Sequence, residues 1–237
     1  MYAIDLHSHT RFFHGYRTLG DAFDPLGVRL LTKAAELRGL DAVATTNHDY
    51  YTPFDGSVDI LPGIEVSSSK GHILVVGPNP PTETTPGELT PEEVVDIAHS
   101  RGCAAIIAHP YRNSTVRDVK ADFDAIEING KHPRTHEWVR RLARKRDLPL
   151  VGGSDAHYPV EVGRAYTTVD VETPTPENIV AAIRDGRVEP HVSINFINRL
   201  AHRGYKFTHG HKGWMTPPDA ATPGIGDPPG DSPSESD

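Results

Sequence analysis

The sequence predicts a single α/β barrel. Three observations carry that expectation. Seven short apolar runs alternate with helical segments, most of the runs end in a polar cluster rich in histidine and carboxylate, and 237 residues suit one barrel of roughly 200–250 residues.

The runs, in order, are Tyr2 to Leu6, Ala42 to Thr45, Ile60 to Val66, Ile73 to Val76, Ala104 to Ala108, Ala125 to Ile128 and Leu150 to Val151. Each is short, apolar and bounded by polar residues, as buried strands are. Between the first two, Leu26 to Leu37 is rich in Leu and Ala and stops at Gly39, which reads as a helix. Thr90-Pro91-Glu92-Glu93 supplies an N-cap, a proline at the first helical position and acid in the first turn of a second helix, which should end near Gly102. A third is expected from about Arg134 to Lys145, and a fourth from Thr175-Pro176 to Gly186. Strands alternating with helices imply a mostly parallel sheet. Polar clusters after the strands favour a closed or distorted barrel over an open sheet, because barrel enzymes build their sites from loops at that end.

The sequence divides into a folded domain over residues 1–198, a basic extension over 199–215 and a Pro/Gly/Ser/Asp-rich tail over 216–237 expected to be disordered. The extension contains Arg199, Arg203, Lys206 and Lys212 beside Tyr205 and Phe207, a composition open to polynucleotide binding or to closing the barrel. Hydrophobic residues make up 37%, part of the shortfall belonging to the tail. With 24 basic residues against 32 acidic the formal charge is -8, which argues against broad adhesion to nucleic acid. The single cysteine, Cys103, excludes an internal disulfide and reads as a small buried hydrophobe. No apolar run has the length of a membrane span and no leader pattern follows Met1, so a soluble cytoplasmic protein is expected.

Fourteen histidines are the abnormal feature. His7-Ser8-His9 ends the first strand, and side-chain alternation puts Asp5, His7 and His9 on one face. Further clusters follow at strand ends or starts: Asn47-His48-Asp49, Glu65 in Pro62-Gly63-Ile64-Glu65, His72, His109-Pro110 and Ser154-Asp155-Ala156-His157. One histidine of this kind is commonly a hydrogen-bonded structural residue, yet that reading would have to be repeated at every cluster. Imidazole nitrogens with carboxylate oxygens form a donor set for zinc, iron or manganese, whereas calcium calls for oxygen.

These clusters resemble the motifs of the PHP (polymerase and histidinol phosphatase) superfamily from Tyr2 to about Arg187: Asp5-Leu6-His7-Ser8-His9-Thr10, Thr46-Asn47-His48-Asp49, Gly63-Ile64-Glu65, Ala108-His109-Pro110 and Ser154 to His157. The resemblance implies a distorted seven-stranded β/α barrel holding two or three divalent ions. It implies that His7, His9, Glu65 and Asp155 bind one ion, that Glu65 bridges to a second held by His72 and His109, and that His14, His48 and His157 take a third. Asn47 stands where the family usually has aspartate, so a negative charge beside His48 is expected to be missing and the third ion to bind more weakly. Glu127 is expected to support a ligand, and Asp5 either to orient an imidazole or to make a structural hydrogen bond.

The implied activity is hydrolysis of a phosphate ester, with Glu65, Asp155 and His157 at the catalytic centre. Hydroxide generated between cations would attack phosphorus in line. Arg112, Arg164 and Lys131, close to the ligand loops, are the candidate phosphate contacts. A small phosphorylated metabolite or nucleotide is the expected substrate. An exonuclease trimming short RNA or DNA is the enzymatic alternative, and a noncatalytic metal-binding interaction domain the alternative of another class.

Overall fold

The computed structural model describes residues 1–10, 17–112 and 114–193. Its strands are β1 (Tyr2–Ser8), β2 (Ala42–Thr45), β3 (Asp59–Ser68), β4 (Gly71–Val76), β5 (Ala104–Ile107), β6 (Ala125–Asn129), β7 (Leu150–Gly153), β8 (Ala165–Val169) and β9 (Val188–Val192). They form one nine-stranded sheet in the order β7-β6-β5-β4-β3-β2-β1-β8-β9. Pairings β1/β2, β2/β3, β5/β6 and β6/β7 are parallel, and those on either side of β4 and of β8 are antiparallel. The sheet curls until β7 lies against β8, with Thr167 Oγ1 accepting from Gly152 N at 2.8 Å and donating to Gly152 O at 3.0 Å. Ser8 and Ala156 bridge the same seam. Gly152 is required there, since a Cβ would stand 2.4 Å from Tyr166 O.

The expected barrel is therefore present in nearly closed form, but with nine strands among the described residues rather than seven. The seven apolar runs became β1 to β7. The two additional strands lack an apolar run: β8 alternates buried Ala165, Thr167 and Val169 with half-buried Tyr166 and Thr168, and β9 contains Pro190. Proline cannot donate to a ladder and is tolerated on an end strand such as this one.

The helices are α1 (Arg17–Leu37), α2 (Pro91–Ser100), α3 (His136–Arg146) and α4 (Pro176–Arg184). Expected at Leu26, α1 is already helical at Arg17 and contains Pro25, the kind of residue that signals a boundary in sequence. Thr90 begins α2 with a capping box, its hydroxyl accepting from Glu93 N at 3.3 Å while Glu93 Oε2 accepts from Thr90 N at 2.8 Å. A 3-10 turn over Pro133–Thr135 precedes α3, which ends on Asp147 in the left-handed conformation at φ 52°. Alternate strand residues divide the apolar groups. Ile4, Leu6, Leu61, Leu74 and Ile106 form an interior cluster with Ile179 and Ile183 of α4, while Ile64, Ile73, Ile107, Ile126 and Ile128 pack under α2 and α3. Leu31 and Ala35 of α1 cover Val43. Among the described residues no helix is long and apolar enough to cross a membrane. The basic extension and the tail lie outside the described residues, as does His14.

Candidate metal centre

Side chains from strand ends, from the start of β4 and from the adjoining loops meet around Glu65 of β3, which is fully buried. Its Oε1 lies 2.8 Å from His72 Nδ1 and 3.0 Å from His109 Nε2. Its Oε2 lies 3.0 Å from His48 Nδ1, 3.2 Å from His7 Nε2 and 3.3 Å from His9 Nε2. Five imidazoles thus surround one carboxylate, divided between its two oxygens. Asp155 completes the far side, with Oδ1 3.4 Å from His9 Nε2, 3.8 Å from His7 Nε2 and 3.3 Å from His157 Nδ1. Eight of the nine residues named as ligands from the sequence come together here, and the ninth is His14.

Three donor groups within the cluster could each hold a cation: His7, His9 and Asp155; His7, Glu65 and His109; and His9, His48 and His157. A fourth overlapping set is His48, Glu65 and His72. The chemistry fits. Buried Glu65 Oε2 has three imidazole nitrogens nearby, but among the described residues none in hydrogen-bond geometry, which is how ligands meet around an ion rather than each other.

Burial opposes the charge of Glu65, yet His48, His72 and His7 pull its carboxyl well below the ordinary range. Asp155 is likewise pulled well below, against burial, by Lys131, His157, His9 and His7. Burial lowers the basicity of His9, and burial with the charges of His9 and Lys131 places His157 well below its usual value. Both rings therefore keep neutral nitrogen lone pairs. Burial also acts against His7, but Glu127 and Glu65 hold it well above normal, and Glu65 raises His72 against burial. A divalent cation would take the place of those protons.

The supports of this cluster divide into two kinds. Glu127 Oε1 accepts from His7 Nδ1 at 2.8 Å and so turns Nε2 toward Glu65, while Oε2 accepts from His109 N at 2.8 Å. Among the described residues, Asp5 pairs with backbone amides rather than with an imidazole. It accepts from His7 N and Ser154 N through Oδ1 and from Gly163 N through Oδ2, at 3.2, 2.9 and 2.8 Å. Of the two roles open to Asp5, the structural hydrogen bond is the one seen, and burial pushes its carboxyl up to about 6. Gly153 leaves room for the pair behind it, since a Cβ there would sit 2.5 Å from both Glu127 Oε1 and His7 Cβ. His109 and Asp155 hold positive φ values of 25° and 51°, a backbone cost that recurs where side chains are aimed at a site.

Asn47 is turned toward Thr10. Its Oδ1 accepts from Thr10 N at 2.9 Å and its Nδ2 donates to Thr10 Oγ1 at 3.0 Å, leaving that hydroxyl to donate to Asp24 Oδ1 at 2.9 Å. An aspartate could not donate, so the amide suits this network, which ends on Asp24 of α1. Of the expected phosphate contacts, only Arg112 keeps a substantially exposed side chain, with one nitrogen 3.0 Å from Asp155 Oδ2. Lys131 is buried, 2.7 Å from His157 Nδ1 and 3.3 Å from Asp155 Oδ1. Arg164 is also buried, one nitrogen 3.1 Å from Glu161 Oε1 and two others without a partner among the described residues.

Sequence reasoning passed over Glu161. Its buried carboxylate accepts from His157 N at 2.9 Å and Tyr158 N at 3.3 Å, and meets both Lys131 and Arg164. The signal available was a glutamate four residues after His157 and two after a proline.

A family model described as PHP-associated matches residues 133–188, from the turn before α3 to the start of β9. Among solved structures, PsfC from Pseudomonas syringae matches with a TM-score of 0.65 at 16% identity, covering 88% of this chain and 98% of PsfC. A two-domain protein from Bacteroides vulgatus, containing a predicted PHP-like metal-dependent phosphoesterase, matches at 0.54 and 18% identity over 81% of this chain and 64% of its own. The lesion-specific endonuclease PfuEndoQ from Pyrococcus furiosus matches at 0.51 and 21% identity, over 78% of this chain and 56% of its own. The chain thus spans less than two thirds of the latter two proteins.

Proposed function

We propose that this chain is a metal-dependent phosphoesterase of the PHP superfamily, acting on a small phosphorylated metabolite or nucleotide, a reading supported by the PHP-associated family model and by the fold shared with a PHP-like protein. The observation that carries the reading is the Glu65 carboxylate, with five imidazoles divided between its two oxygens. In this reading His7, His9, Glu65 and Asp155 hold one zinc, manganese or iron ion, Glu65 with His72 and His109 a second, and His48 with His157 and His14 a third. Bound cations supply Lewis acidity, drawing in the phosphate and lowering the pKa of water.

The chain's own residues do the rest. Glu127 fixes the His7 ring through Nδ1, so that Nε2 stays on the cluster side. Lys131 and Glu161 hold the loop bearing Asp155 and His157. Arg112 offers a planar, partly exposed guanidinium for phosphoryl oxygens, and Arg164 adds positive charge behind the loop. Asp155 and His157 lie 3.3 Å apart on that loop and bring a carboxylate and a neutral imidazole to the centre together.

A second reading is a nuclease acting on short nucleic acid, favoured by the fold shared with PfuEndoQ. The test is metal analysis of purified protein, followed by phosphate release from phosphomonoesters, nucleotides and short oligonucleotides before and after chelation. Hydrolysis lost on chelation and restored by metal is expected. Cleavage confined to oligonucleotides would select the nuclease reading, and metal-free protein inactive under every reconstitution would select a noncatalytic interaction domain.

A further inference from the structure

His132 has no part in the assignments above, although it lies in the loop after β6, directly beyond Lys131. Its backbone is fixed on both sides: N donates to Asn129 O at 3.2 Å, and its carbonyl accepts from Thr135 N at 3.1 Å and Thr135 Oγ1 at 2.9 Å. Pro133 restricts it further. Its electrostatic neighbours are Arg112, Asp155, His109 and Lys131, so the ring sits among the loops after β5, β6 and β7. Nε2 is buried and has no hydrogen-bond partner among the described residues. A buried polar nitrogen left unpaired costs stability, and at the rim of a site its natural partner is a ligand.

Burial first, then the positive charge of Arg112, lowers the ring's pKa to about 3, against the pull of Asp155. A neutral imidazole has one N–H to give. Cationic Arg112 and Lys131 beside it collect an anion, and a phosphoryl oxygen accepts the N–H that neither of them can accept.

We propose that His132 contacts the substrate, its Nε2–H donating a hydrogen bond to a phosphoryl oxygen of the ester at the Glu65 centre. The proposal rests on the phosphoesterase reading for the identity of the ligand. His132 adds a directional bond without adding charge, so it sharpens orientation while leaving the product free to depart.

The experiment titrates metal-loaded, full-length protein with inorganic phosphate by calorimetry, comparing the natural chain with His132→Phe and His132→Asn. Phenylalanine keeps the ring volume and removes the donor. Asparagine keeps a neutral donor. Phosphate should bind about 2- to 10-fold more weakly to His132→Phe, the range one neutral hydrogen bond covers, and within about 2-fold of the natural affinity to His132→Asn. Metal content and circular dichroism should not change. Should His132→Phe fail to fold, His132→Leu supplies the apolar arm.

Equal phosphate affinity in the natural and apolar variants overturns the proposal, as does a natural protein that binds no phosphate. A matching loss of bound metal also overturns it, because the ring would then serve the cluster. The phosphoesterase reading fails separately, if metal-loaded protein binds phosphate yet hydrolyses no ester.

Discussion

Two carboxylates at opposite ends of the barrel each gather histidine, and they do so by different rules. Asp124, just before β6, accepts from His99 Nε2 of α2 at 2.9 Å, from Ala105 N at 2.7 Å and from Arg184 Nε of α4 at 2.9 Å. Each contact has hydrogen-bond geometry and a guanidinium offsets the charge, so the group is complete in itself. Glu65 is more deeply buried and has more histidines, but none supplies a hydrogen bond to Oε2. The first arrangement ties α2 and α4 to the sheet. The second converges on a space between side chains. What separates a structural histidine from a candidate ligand is thus whether the cluster satisfies itself.

The largest effect expected from this contrast is at the carboxylates. Glu65→Gln keeps the size, but leaves one good oxygen donor and removes the charge that would hold two cations close together. Turnover should fall by at least ~100-fold, with loss of bound metal and an intact circular dichroism spectrum. Asp124→Asn should keep full metal content and near-normal turnover, yet lose about 1–3 kcal/mol of stability, because its amide group must face one of the donors. A folded, fully loaded and active Glu65→Gln protein would end the bridging assignment.

Next come the groups behind His7. Glu127→Gln must turn an amide NH2 toward either His7 Nδ1 or His109 N, both of which now donate to the carboxylate. Metal affinity should drop about 10- to 100-fold, the range for losing such a supporting partner. Gly153→Ala attacks the same pair sterically, since its Cβ would lie 2.5 Å from Glu127 Oε1 and from His7 Cβ. It should therefore reproduce the metal loss of Glu127→Gln. Metal titrations on both variants check this, and unchanged affinity in each would show that the His7–Glu127 pair is dispensable.

Much of this contrast was legible in the sequence, and the reason is local. Strands β1 to β7 are short apolar runs with a His, Glu or Asp within them or a few residues beyond, so each advertised both its burial and its place at the site. Strands β8 and β9 carry threonine, tyrosine, histidine and proline, and only pairing, of β8 with β1 and of β9 with β8, makes them strands. Pro25 hid the first half of α1 for a related reason. At the site, the residue types were visible but their partners were not: which imidazole faces which oxygen of Glu65, or that Asn47 turns to Thr10, depends on strand register. Glu161 and His132 were missed because each acts through a loop geometry that no spacing encodes. His99 shows the converse, a histidine whose carboxylate partner is 25 residues away and which no motif would have separated from a ligand.

The finest test pairs two histidines that differ in almost nothing but their surroundings. His72 and His99 have side-chain exposures of 33% and 31%, and each nitrogen lies 2.8 Å and 2.9 Å, respectively, from a buried carboxylate. Distance and exposure alone would rank them alike. Replacing His99 by glutamine leaves Asp124 with Ala105 N and Arg184, and the pair is exposed enough for water to take the vacated place. The cost should be at most ~1 kcal/mol, as for other partly solvated hydrogen-bonded pairs. Metal content and turnover should not move. Replacing His72 by glutamine instead removes a candidate ligand from the Oε1 side of Glu65, where His109 alone remains, and metal should bind about 10-fold more weakly with little change in melting temperature. Thermal melts and metal titrations on the two variants read these outcomes independently. If His72→Gln behaves like His99→Gln, with a slightly lower melting temperature and unaltered metal affinity, then His72 is a structural histidine and the Oε1 side of Glu65 is not a metal site.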